Sequence, residues 1–152
     1  MPRLLIFAPC EKVIIGQGDN NVSLIGILQG LQVNPRPEGF SEIPANAILP
    51  MSWTIFTMWQ KEAEDERIAY TQRVALISPT DRVLLESVTA FAMERDSHRI
   101  ANNLIGFPIG EAGPHTLKVW LRRGDSGDWK EISSFPLLIT HPTVARASSI
   151  VH

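Results

Sequence analysis

Hydrophobic and polar positions alternate most cleanly in His115–Arg122, where Leu117, Val119 and Leu121 share one face and Thr116, Lys118, Trp120 and Arg122 share the other. A period of two is that of a half-buried strand. Such a face must be covered by a second layer, so this strand fixes an inner and an outer side for whatever packs against it. The turn-forming run Gly124-Asp125-Ser126-Gly127-Asp128 follows, and a return strand closes on Phe135-Pro136-Leu137-Leu138-Ile139. The stretch 113–139 is therefore predicted to be a hairpin.

Shorter segments of the same kind occupy the rest of the chain. Leu4–Ala8 and Val13–Ile15 are two apolar runs separated by Pro9-Cys10-Glu11-Lys12, and Gly16–Asn21 favours turns. Val22–Val33 reads as one long strand carrying Gly26 and Gly30, residues that mark a bulge or a close backbone approach. The proline-rich stretch Asn34–Pro50 predicts a loop crossing between sheets, and Met51–Gln60 is apolar on both faces, as in a strand covered on two sides or one that meets a partner. Lys61–Arg67 predicts a solvated charged turn; its carboxylates lack the glycine and the ligand spacing of a calcium loop. Ile68–Ile77 alternates as a strand. Val83–Glu94 fits both periods, and its density of Val, Thr and Phe selects strand. Arg99–Ile109 shows a weaker pattern. Eight or nine short strands without a helix predict an antiparallel β-sandwich formed by one domain over residues 1–140, followed by a disordered tail, 141–152.

Composition narrows the functional classes. In 152 residues the formal net charge is −2, which supplies no basic field for nucleic acid or anionic membranes. No apolar run approaches the ~18 residues of a membrane span. The opening Met1–Cys10 has too short an apolar core for a secretion signal, and the single cysteine, Cys10, suits a reducing compartment, so a cytoplasmic location is expected.

Candidate chemistry is sparse. Gly124-Asp125-Ser126-Gly127-Asp128 resembles a serine-protease nucleophile loop except that Asp128 replaces a glycine, but the chain has neither that family's upstream histidine motif nor its length, and turn formation is the favoured reading. Arg123-Gly124-Asp125 matches an adhesion tripeptide within the same turn. His98, His115, His141 and His152 lack a second ligand at zinc-like spacing, and Asn21-Val22-Ser23 is a glycosylation site only in a secreted chain. Cys10 has no neighbour to activate it and reads as an inert thiol. No catalytic residue, metal or cofactor is expected. Trp120, Trp129, Lys118 and Arg122 form the candidate interaction surface, because exposed indoles bury in protein interfaces or stack on sugars; a cross-strand pair that only stabilises the hairpin is the plainer alternative.

Several features taken together resemble a family of small uncharacterised bacterial proteins, a domain of unknown function with an immunoglobulin-like β-sandwich. They are Val22–Leu28, the crossing from Pro35 to Pro50, Leu104-Ile105-Gly106-Phe107-Pro108-Ile109, Gly113 ahead of Leu117-Lys118-Val119, and the closing Phe135–Ile139. His115 stands where that family more often has tyrosine. The resemblance implies a fold and no catalytic residues. A non-catalytic interaction or scaffold module is the expectation, with a carbohydrate- or small-ligand-binding sandwich as the alternative; the partner is expected to be another protein or a second copy in a homodimer.

Overall fold

The computed structural model describes residues 1–33, 43–65 and 67–141. It is all-β, with strands β1 (Arg3–Ile15), β2 (Val22–Ile27), β3 (Gly30–Gln32), β4 (Ile48–Gln60), β5 (Ala69–Ile77), β6 (Val83–Ala92), β7 (Ser97–Pro108), β8 (Gly113–Arg123) and β9 (Lys130–Thr140). A 3-10 turn at Ala63–Asp65 is the one helical element among the described residues. Two sheets form, in the orders β2-β1-β4-β7 and β3-β9-β8-β5-β6. The ambiguous segment after Val83 is a strand, as its β-branched and aromatic content predicts. Residues 34–42 of the proline-rich crossing and 142–152 of the expected tail lie outside the described residues.

Three expectations need correction. The two apolar runs at the start are one strand, because β1 changes partner midway: Cys10 is opposite both Thr54 of β4 and Ile27 of β2. Pro9 is tolerated at this junction, where its carbonyl accepts from the Leu28 N–H at 2.9 Å. Val22–Val33 is conversely two strands in different sheets, and β3 runs parallel to β9 rather than antiparallel. Gly26 adopts φ 67° where the first strand ends. A Cβ at Gly30 would lie 2.7 Å from the Leu138 carbonyl oxygen, so only glycine permits that approach.

The third correction concerns Lys61–Arg67, of which Glu66 is not described. Asp65 is fully buried rather than solvated. It is held because the Tyr70 hydroxyl donates to Oδ1 and the Glu62 N–H donates to Oδ2 at 2.8 Å. Burial alone raises the Asp65 pKa, but the hydrogen bonds from Tyr70 and Glu62, together with the Met1 ammonium 3.4 Å from Oδ1, outweigh it, and the carboxyl sits below its ordinary range. Burial first, and then the bond to Asp65, push the Tyr70 phenol well above its ordinary value.

The core lies between the sheets. β8 contributes Leu117, Val119 and Leu121, all fully buried as the alternation requires, against Trp53, Ile55 and Trp59 of β4 and Ile100 and Phe107 of β7. β4 is buried on both faces: Phe56, on the side away from the core, is also covered, as is Ala8 opposite it. On the same outer side the tip of the β1–β2 hairpin meets β7, where Arg99 Nη2 donates to the Asn20 carbonyl at 2.8 Å. A polar bridge crosses the core, with Gln72 Oε1 of β5 accepting from Thr57 Oγ1 at 2.7 Å and from Trp59 Nε1 at 2.8 Å of β4.

Two outcomes are expected. Val119→Asp places an unpaired carboxylate in this core and should cost on the order of 3–5 kcal/mol, enough to leave a domain of ~5–15 kcal/mol total stability largely unfolded or insoluble; circular dichroism and soluble yield would show it. Asp65 has a folded pKa below its unfolded value near ~3.9, so its contribution is present above that value and is lost as pH falls through the folded pKa. Tyr70 has a raised folded pKa, so its contribution is present below ~10 and is lost as pH rises beyond it. Tyr70→Phe removes a hydrogen bond to a charged group, should cost about 1.5–3 kcal/mol at neutral pH, and should flatten both flanks of a urea-midpoint profile against pH.

Candidate interaction surface

Period two carries Lys118, Trp120 and Arg122 to the face of β8 opposite the core. Because β8 lies between β5 and β9, both neighbours supply partners: Trp120 is in register with Arg73 of β5 and with Glu131 of β9. The Arg73 guanidinium lies 4.4 Å from the centroid of the Trp120 ring, and its Nε is 2.8 Å from Glu86 Oε2 of β6. Lys118 Nζ is 3.1 Å from Glu131 Oε1. The Arg122 guanidinium lies 4.3 Å from the Trp129 ring centroid. Trp129 stands in the turn one residue before β9 and not on the return strand itself.

The four residues singled out by sequence therefore share one half-buried surface. The structure adds Arg73, Glu86 and Glu131, which sequence reasoning missed. Their signal is faint: Glu86 shares its face of β6 with the apolar Leu84, Val88 and Ala90, and only the strand order sets these charges beside Trp120. Arginine stacked on an indole contributes ~0.5–1 kcal/mol in an exposed setting, and each exposed ion pair ~0–1 kcal/mol. Their main effect is to restrict long side chains, so that the surface presents rigid aromatic rings framed by charge. Arg73, Lys118 and Arg122 set three cations there against the carboxylates of Glu86 and Glu131.

The other candidates are dispersed. Ser126 lies in an exposed turn whose Gly124 adopts φ 64°. His98 stacks on Phe91 with ring centroids 4.9 Å apart, and burial lowers its pKa although Glu94 acts in the opposite direction. His115 is buried with Nδ1 3.0 Å from the Gly113 carbonyl, and His141 Nε2 is 2.5 Å from the Ile109 carbonyl. His152 lies outside the described residues. No group of three potential metal-ligating side chains is present among the described residues. Cys10 is buried, and burial pushes its thiol pKa up.

A cluster unseen in the sequence joins Ser78, Thr80, Arg82 and Glu111. The Ser78 hydroxyl oxygen accepts from the N–H groups of Thr80 at 3.2 Å and Arg82 at 3.0 Å. Thr80 Oγ1 donates to Glu111 Oε2 at 3.3 Å, and Arg82 Nη2 donates to the same oxygen at 3.3 Å. With its oxygen accepting from the backbone, Ser78 locks the β5–β6 turn. No protein-family model matches the chain, and no curated protein matches it.

If the stacked pair is worth what its geometry implies, Arg73→Ala should lower stability by about 1 kcal/mol. A double-mutant cycle with Trp120→Ala in urea denaturation should return a coupling of ~0.5–1 kcal/mol. A coupling of zero would show the guanidinium to be free of the ring.

Proposed function

We propose that this protein is a non-catalytic β-sandwich interaction or scaffold module of the immunoglobulin-like kind, and that it engages a protein partner through the outer face of the five-stranded sheet. The strand order supports the fold reading. Taking β4, β5, β7, β8 and β9 as strands B, C, E, F and G reproduces the pairing of B with E in one sheet and of C, F and G in the other. β1 then takes the place of strand A beside B.

The observation that carries the functional reading is the pair of arginine-capped indoles, Arg73 on Trp120 and Arg122 on Trp129. Tryptophan and arginine are the residues most enriched where interfaces concentrate their binding energy, and side chains already held in place lose less freedom on association. Carbohydrate binding needs an open indole face for the sugar ring. Here a guanidinium occupies one face of each indole, which favours a protein surface over a sugar. A buried, unactivated cysteine suits a cytoplasmic setting for such a module.

The test is affinity capture from cells of the source organism, with wild type, Trp120→Ala and Trp129→Ala compared by quantitative mass spectrometry. Both variants should keep the wild-type circular dichroism spectrum. Each should lose most of the same captured protein, with Trp120→Ala losing at least tenfold. Equal recovery on all three baits would assign the indoles to hairpin stabilisation alone.

A further inference from the structure

β6 and β7 are consecutive in the chain, and each is the last strand of its own sheet. β6 pairs only with β5, and β7 only with β4, among the described residues. The two open edges therefore lie on one side of the molecule, held together by side chains: Asn102 Oδ1 of β7 accepts from Ser87 Oγ at 3.1 Å and from Thr89 Oγ1 at 3.3 Å of β6. Long uncovered edges invite pairing with another chain, and proteins usually blunt them with brevity, proline, lysine or bulges. The edge strands β2 and β3 are short, with six and three residues. β6 has ten residues, no proline or lysine, and a single charge, Glu86, which is turned onto Arg73.

We infer that a second copy of this chain pairs with both edges at once across a single two-fold axis, extending the sheets to ten and eight strands. A second copy can meet both edges with one operation because the Ser87–Asn102–Thr89 bridge fixes their relative height. In a two-fold antiparallel pairing one residue of each strand must face itself. Asn102 contacts the residues on either side of Val88, so Val88 of β6 and Asn102 of β7 stand at the same height. One axis can pass through both.

That register is chemically self-consistent. On β6 it places Glu86 opposite the partner's Ala90 and Leu85 opposite the partner's Phe91. On β7 it places Ile100 opposite the partner's Leu104 and Arg99 opposite the partner's Ile105. No like charges meet. Val88 is more than half exposed and Ile105 is 90% exposed, the most exposed large apolar residue of the described chain; both become covered. Two ladders of about eight residues run about 26 Å each and stand about 10 Å apart. With overhanging side chains they cover an area of the order of the ~800 Å² per partner that specific interfaces bury.

This inference is independent of the role of Trp120, and its test is chosen to keep the two apart. Sedimentation equilibrium of the wild type at micromolar concentration should give the mass of two chains. Val88→Lys, at an exposed strand position opposite Arg73, should keep the circular dichroism spectrum and lower the thermal midpoint only slightly while weakening dimerisation at least tenfold; Trp120→Ala should leave the dimer mass unchanged. Oxidation reads the register directly. Residues facing themselves have Cα atoms about 4.5–5.5 Å apart, within the ~4.4–6.8 Å that a disulfide spans, so Val88→Cys should form a covalent dimer. Val83→Cys lies about 34 Å from its own copy and should not. A one-chain wild-type mass, a dimer indifferent to Val88→Lys, or equal cross-linking at residues 83 and 88 would overturn the proposal.

Discussion

Among the described residues the two sheets share no backbone ladder, so their relative height rests on side chains, and the Gln72 amide supplies a directional contact between them. Trp59 Nε1 can only donate, which fixes which end of the Gln72 amide faces it; the Thr57 hydroxyl then donates to the same oxygen. Apolar packing alone is compatible with small slips of one sheet over the other. A slip that took the acceptor from the Trp59 N–H would add an uncompensated desolvation cost. This bridge therefore holds β5 level with β4. β6 and β7, as their neighbours, follow.

The same height governs the lateral side of the molecule. Phe91 stacks on His98, and Asn102 meets Ser87 and Thr89, so the strands that end each sheet are tied together by a stack and two hydroxyl donors. Polar groups at this boundary keep β6 and β7 aligned, running in opposite directions, without closing the sandwich. Two open edges at matched height are a consequence of that arrangement.

On the outer face of the five-stranded sheet, the central position of β8 is decisive. A strand with neighbours on both sides receives partners for each outward side chain, so Trp120 gains Arg73 from β5 while Lys118 gains Glu131 from β9. An indole on an edge strand would have had one neighbour and more rotamer freedom. The cations of this face are consequently matched within the chain to carboxylates or rings.

Alternation along His115–Arg122 determined which side chains of β8 are buried, and β-branched and aromatic content determined that Val83–Ala92 is a strand. Both are local properties of a chain whose side chains alternate across a pleat. The all-β class and the approximate number of strands follow from the same periodicity. Tertiary structure alone decided that Pro9 lies inside a strand, that residues 22–33 are divided between two sheets, and that Asp65 is buried beside Tyr70 although it belongs to a charged run. It also decided that Arg73 lies on Trp120 and that β6 and β7 end on the same side. Each of these depends on which distant segment comes alongside, and a residue's partner across a ladder or between two sheets leaves no mark on the period of its own strand.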